Sequence, residues 1–373
     1  MENSRYVFKN GKKLRTGYTT GSCAAGAAKG AVAMLFSGER IDRVEIDTPK
    51  GWPLTLELIH VAMTSQGISC AVKKDAGDDP DVTDKIEVFA FAKKVAGRGI
   101  LLKGGEGVGK VTRPGLLVPV GMPAINPVPR QMIMNEVEKV LPPGQGVEIE
   151  ISIPGGREIA QKTFNPRLGI EGGISVLGTT GIVEPMSEEA LKETIALELS
   201  CRKAAGQDKI LLVPGSYGER FCEERLGINR EKAVKISNYL GFALEKCMEL
   251  GFRKVLLAGH LAKLVKPAGG IFYTHSRVSD TRMEILTANL VLLDMPGEWL
   301  KRIMACITTE EAIPLINEAG FLHVYPLIAE KCAERCAGYV YHQVEVGVVL
   351  FSMKEILAKS TKAERILEEI RHA

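Results

Sequence analysis

The chain has 373 residues, 45% hydrophobic and 25% charged, the balance of a globular protein and not of a disordered or membrane-embedded one. At about 150 residues per domain, that length suggests two domains. A net charge of +3 with only 6% aromatic residues argues against a nucleic-acid binder, which needs a basic stripe and stacking platforms.

The first 15 residues set Arg5, Lys9, Lys12, Lys13 and Arg15 against Glu2 and read as a solvated tail. The longest apolar run, residues 23–36, is broken by Lys29. It is too short and too charged to span a bilayer, and it lacks the clear break that follows a signal peptide. A cytoplasmic protein without a membrane partner is expected. The eight cysteines form no C-x-x-C pair. They read as thiols in a reducing compartment, and no metal site is expected. A homo-oligomer is compatible with the sequence.

Residues 22–36 are Ala-rich and predict a helix with Ser22 as its N-cap. Strands follow at 44–47, 54–60, 68–73 and 86–91, and the period-2 run VEIEISI gives another at 147–153. A helix over 129–140 enters through N-P-V-P and stops at Pro142-Pro143. Strands with few helices imply an α+β N-terminal domain on a mixed sheet.

The second half changes character. A helix is predicted over 187–205, an apolar strand at 209–213, a helix at 239–250, a strand at 254–258 and a short helix at 261–265. Residues 280–337 read as nearly all helix, and 344–351 as a last strand. Apolar strands alternating with helices mean βαβ units and a parallel sheet, an α/β C-terminal domain. The boundary falls between Gly181 and Ser187, giving domains 1–185 and 186–373.

Five segments could carry chemistry. T-G-Y-T-T-G-S ends in Thr19, Thr20, Gly21 and Ser22 at the start of the Ala-rich helix. Free N–H groups and the positive dipole end there suit an anion, and a plain capped helix is the competing reading. D-A-G-D-D-P-D-V-T-D, with Asp75 and Asp78, lacks the spacing of an EF-hand. It reads as turn and cap residues, or as acceptors for a ligand's hydroxyls and amides. Gly104–Thr112 has two Gly-x-Gly steps but not the dinucleotide fingerprint. The long run 162–185 holds Arg167, Thr179 and Thr180 among five glycines, and a loop of that length is usually functional. Finally, Gly215, Ser216 and Gly218 follow one apolar strand, while Ser237-Asn238 and G-H-L-A-K-L-V-K, with His260, Lys263 and Lys266, mark other candidate strand ends. Ligands of open α/β sheets sit at such ends.

Taken together, TGYTTGSCAAGAAK, DAGDDPDVT, GGEGVGKVTRPGL, GMPAINPVPR, KTFNPRLGIEGGISVLGTTGIVEPMS, VKISNYLG and GHLAKLVKPAGGIFYTHS resemble, in this order, the CbiD family of cobalt-precorrin-5B (C1)-methyltransferases. The resemblance spans about residues 15–275, with Ala262 and Tyr273 where Gly and Asn are expected. It implies a Rossmann-like fold for the C-terminal domain. It also implies methyl transfer from S-adenosylmethionine to C1 of a cobalt-corrinoid precursor in anaerobic cobalamin biosynthesis, giving cobalt-precorrin-6A.

The residues fit such chemistry. A polycarboxylate substrate needs separated donors, for which Arg130, Arg167, Thr19–Ser22, Thr179, Thr180, Lys263 and Lys266 are candidates. Displacement at a sulfonium needs positioning more than a nucleophilic side chain, so the lack of a Ser-His-Asp or Cys-His signature is consistent. Gly215, Ser216, Gly218, Ser237 and Asn238 are the candidates for the cofactor. A ring proton could pass to Asp75, Asp78 or His260. The competing readings are a corrinoid carrier without catalysis and a small-molecule kinase, the latter disfavoured by the missing Walker lysine.

Overall fold

The computed structural model describes residues 5–372. It divides into two compact units, Met1–Glu188 and Glu189–Ala373, each combining helices with a mixed sheet.

In the first unit a five-stranded sheet runs Ile59–Thr64, Gly67–Lys73, Glu87–Val95, Gly146–Ser152, Gly99–Gly104. All pairings are antiparallel except that of Gly146–Ser152 with Gly99–Gly104, which is parallel. Side chains of a strand alternate between faces. Val88, Ala90 and Ala92 therefore join Val147, Ile149 and Ile151 in one buried cluster with the helices Thr20–Ser37 and Pro127–Glu138. The strand expected over 54–60 is two. Leu54–Glu57 pairs with Arg43–Ile46, and the chain then joins the larger sheet through a bulge at which His60 has φ 53°.

Two expectations near the N-terminus are corrected. Residues 6–15 are not a tail: Tyr6–Lys9 and Lys12–Arg15 form an antiparallel hairpin. Its turn is Asn10-Gly11, both at positive φ, the pairing that best matches strand twist. The Arg5 guanidinium lies 4.4 Å above the Trp52 ring, while Glu2 lies outside the described residues. The helix cap is Thr19 and not Ser22: Thr19 Oγ1 accepts the Ser22 N–H at 3.2 Å. Ser22 sits inside the first turn, fully buried.

The second unit has a sheet in the order Ala233–Lys235, Lys209–Val213, Lys254–His260, Glu345–Phe351, Ile356–Lys359. The first four strands are parallel and the last is antiparallel. Ile210 and Leu212 enter a core with the helices Glu188–Ala204, Leu240–Glu249, Leu261–Ala268 and Val324–Tyr339. Leu211 and Val213 enter a second core with Ser216–Leu226 and Ala363–Arg371. Both faces are covered, so the strand is a continuous apolar run.

A helix absent from the sequence reading, Ser216–Leu226, begins three residues after the strand Lys209–Val213. Gly218 disguises it in the sequence, yet close packing needs a small residue there: a Cβ on Gly218 would lie 3.0 Å from Val213 Cβ. Between residues 280 and 340 four helices follow, Arg282–Val291, Gly297–Met304, Thr309–Glu318 and Val324–Tyr339.

Candidate functional site

In the second unit the chain leaves Lys209–Val213 for the strand on one side, Ala233–Lys235, and then crosses to the strand on the other, Lys254–His260. This reversal of direction opens a crevice at the carboxyl ends of the strands. Gly215 follows the first strand in a fully extended conformation, with φ −177° and ψ −178°. A Cβ there would meet no atom within 4 Å. Ser216 opens the next helix, and a cavity of about 380 Å³ lies at this turn, lined by Ser216, Tyr217, Glu219, Arg220 and Arg230. Tyr217 Oη donates to the Met353 carbonyl at 2.9 Å, and its ring stands 6.4 Å from that of His260.

His260 ends the strand Lys254–His260 and caps the helix Leu261–Ala268. Its Nδ1 accepts the Ala262 N–H at 3.1 Å, and its Nε2 lies 2.8 Å from Glu310 Oε1. With Nδ1 accepting, the ring proton sits on Nε2 and faces a carboxylate. Both nitrogens are therefore engaged. Glu310, fifty residues further along the chain, gave no signal in the sequence.

Ser237 and Asn238 follow Ala233–Lys235, and Ser237 has φ 52°, a conformation uncommon outside glycine. Asn238 Oδ1 accepts from Lys263 Nζ at 2.6 Å and from Thr274 Oγ1 at 3.4 Å. The Asn238 carbonyl accepts the Thr274 N–H at 3.0 Å. Lys263 and Lys266, paired by their spacing, separate in role. Lys266 is 2% exposed, and its ammonium donates to the carbonyls of Thr274 and Ser279 at 3.0 and 2.7 Å. Lys263 is half-buried; its pKa is held below the usual lysine range by burial first and by the Arg282 charge second.

In the first unit the N-terminal motifs meet their own chain. At the helix start the Gly21 N–H donates to the Leu177 carbonyl at 3.0 Å. Thr20 Oγ1 accepts the Leu177 N–H at 2.9 Å, and Ser22 Oγ donates to the Gly181 carbonyl at 2.6 Å. Of the N–H groups expected for an anion at Thr19–Ser22, those of Thr19 and Gly21 are taken by carbonyls of segment 177–181 and that of Ser22 by Thr19 Oγ1. The aspartates are equally occupied. Asp75 forms a two-pronged ion pair with Arg15, and Asp78 accepts the Arg15 backbone N–H at 2.6 Å. The Arg15 guanidinium holds the Asp75 carboxyl below the usual carboxylate range. Asp81 pairs with Lys74 at 2.6 Å, and Asp84 accepts the Ala76 N–H at 2.9 Å.

The remaining basic candidates are carried by short local elements. Arg130 lies half-buried in the helix Pro127–Glu138, and Arg167 sits in a 3-10 turn, Asn165–Leu168, 6.0 Å from the Phe164 ring. Thr179 and Thr180 are exposed. The two glycine-rich segments pair with each other, Gly107 beside Gly173 and Lys110 beside Glu171.

Residues 7–185 match the family described as CbiD, and residues 273–361 match CbiD, C-terminal domain. The chain is 49% identical over 365 residues to the cobalt-precorrin-5B C(1)-methyltransferase of Alkaliphilus metalliredigens, covering 98% of this chain and 97% of that protein. It is 51% identical over 358 residues to the protein of the same name from a Thermoanaerobacter species, covering 95% and 98%. Among solved structures it is similar to a cobalamin biosynthesis protein (cbiD) of Archaeoglobus fulgidus, at 26% identity and a TM-score of 0.40 over 74% of this chain and 87% of that one.

Proposed function

The chain belongs to the CbiD family, and from that membership we propose that it methylates C1 of cobalt-precorrin-5B in anaerobic cobalamin biosynthesis, using S-adenosylmethionine in the cytoplasm and yielding cobalt-precorrin-6A. The observation that carries this reading is identity of 42–51% to proteins named for that reaction, sustained over nearly the whole chain.

We take residues 1–185 as an α+β domain and 186–373 as a Rossmann-like α/β domain. Four parallel strands with helices on both faces support the latter. Bound S-adenosylmethionine would supply a methyl group on a good leaving group, so the protein's part is alignment. Gly215 and Ser216 follow the strand at which direction reverses, Gly218 in the next helix packs on Val213, and Ser237 and Asn238 follow the neighbouring strand; these five are our candidates for holding it. Arg130, Arg167, Thr179 and Thr180 are our candidates for the substrate's carboxylates. Thr19–Ser22 and Lys266 would support the fold around a ligand, their polar atoms being bonded to backbone carbonyls and to one another. Among the candidate bases, Asp75 and Asp78 are committed to Arg15. His260 turns its Nε2–H toward Glu310 and its lone pair, on Nδ1, toward the Ala262 N–H, so it could take up a proton only by giving up that cap.

Anaerobic incubation with cobalt-precorrin-5B and S-adenosylmethionine bearing a carbon-13 methyl group tests the reading. The expected product gains one labelled methyl, on C1 by nuclear magnetic resonance. A protein that retains the coloured corrinoid and transfers no label would be a carrier, and consumption of ATP in place of the methyl donor would indicate a kinase.

A further inference from the structure

The half-buried ammonium of Lys263 has no counter-charge among the described residues. Its one hydrogen-bond partner among the described residues is the neutral Oδ1 of Asn238, at 2.6 Å. An ammonium has three N–H donors, so two remain unspent. The other cations nearby are already served: Lys266 by two carbonyls, and Arg282 by a two-pronged contact with Asp280 at 2.6 and 3.1 Å. Arg282 repels Lys263 without sharing an acid with it. A charge taken partly out of water ordinarily needs a partner.

Asn238 is arranged to assist. Its oxygen accepts from Lys263 and Thr274, which fixes the side-chain amide and leaves its NH2 group to donate. The loop that carries it is pinned by Thr274 and takes the unfavourable φ at Ser237. Lys263 and Asn238 follow the two strands that flank Lys209–Val213, and Gly215 and Ser216 follow Lys209–Val213 itself. All four residues stand at the same edge of one parallel sheet.

Resting on the cofactor site proposed above, we infer that Lys263, with the side-chain amide of Asn238, receives the carboxylate of the methyl donor's amino-acid portion. The sequence alone assigns Lys263 to the corrinoid together with Lys266, but the structure separates the two lysines and joins Lys263 to the Asn238 loop. A carboxylate accepting from both residues would satisfy the spare donors and neutralise the charge.

Two probes distinguish the carboxylate's source. S-adenosylhomocysteine carries the amino-acid portion, and 5′-methylthioadenosine is the same nucleoside thioether without it. In calorimetric titrations Lys263→Met should weaken S-adenosylhomocysteine ten- to a hundredfold and leave 5′-methylthioadenosine unchanged, which also reports an intact fold. Asn238→Asp, whose new carboxylate would occupy Lys263, should show the same selective loss, and Lys263→Arg should recover most of the affinity. Equal loss for both probes, no loss for either, or a loss confined to the corrinoid would overturn the assignment while leaving the cofactor site standing. A wild-type protein that binds neither nucleoside would overturn the site and the assignment together.

Discussion

Gly17 and Gly77 lie so close that neither has room for a side chain: a Cβ on Gly17 would fall 2.6 Å from the Gly77 nitrogen, and one on Gly77 would fall 2.9 Å from the Gly17 nitrogen. The threonine-rich motif and the aspartate-rich motif are therefore each other's partners. Tyr18 N–H donates to the Asp75 carbonyl and Asp78 N–H to the Arg15 carbonyl, at 2.8 and 3.0 Å. Gly77 also has φ +68°. Gly77→Ala should cost about 2–4 kcal/mol, from a left-handed alanine and a forced backbone shift. Gly38, at φ +76° with open space around it, is the control: Gly38→Ala should cost only about 1 kcal/mol. Urea denaturation midpoints of the two variants compare them directly, and equal costs would reject the close contact.

Glu136 is 2% exposed and gathers three partners. Lys29 Nζ donates at 2.8 Å, the Asp47 N–H donates at 3.0 Å, and Lys139 donates from one turn further on. Burial alone would raise its pKa, but these donors outweigh burial and hold it below the ordinary value. A depressed carboxylate contributes stability above its unfolded pKa, about 4.3, and loses that contribution as pH falls through the lower folded value. Glu136→Gln should cost about 3 kcal/mol near neutral pH by leaving Lys29 without a counter-charge, its other partner being the Glu45 carbonyl. Melting curves from neutral to acid pH should show the gap between variant and wild type closing below about pH 4. A gap constant across that range would assign the loss to packing instead.

Gly215→Val tests the crevice without disturbing the fold. Its backbone is extended, which any residue adopts, and a Cβ there meets no protein atom within 4 Å. The variant should melt with the wild type yet bind S-adenosylmethionine at least tenfold more weakly, about 1.4 kcal/mol. Unchanged affinity would move the cofactor elsewhere.

Arg130→Lys keeps the charge but loses the planar fork that pairs with a carboxylate through two hydrogen bonds. Corrinoid binding should weaken by roughly ten- to a hundredfold, matching the 1.5–3 kcal/mol of a charge-assisted contact, with affinity for S-adenosylmethionine kept. Arg167→Lys should behave in the same way if it meets substrate. If instead it only pins its own turn, the melting temperature falls and both ligands weaken together.

The sequence by itself determined those elements whose patterning is local. The run KILLV is continuous because both faces of its strand are covered, and Lys209–Val213 is the strand observed. VEIEISI alternates because one face meets helices, and the strand is Gly146–Ser152. The seven motifs also identified the family, since long ordered strings carry more information than any spacing. Only the tertiary structure decided what the polar motifs touch. Thr19–Ser22 read as an open anion site because a helix start exposes N–H groups, but the carbonyls of Leu177 and Gly181, more than 150 residues away, take their place. Lys263 and Lys266 lie on one helical face three residues apart, yet one is sealed under two carbonyls and the other meets Asn238. Helical spacing fixes the direction of a side chain from its own helix. The partner it finds there depends on loops that only folding brings near, and that choice separates a structural lysine from a candidate ligand.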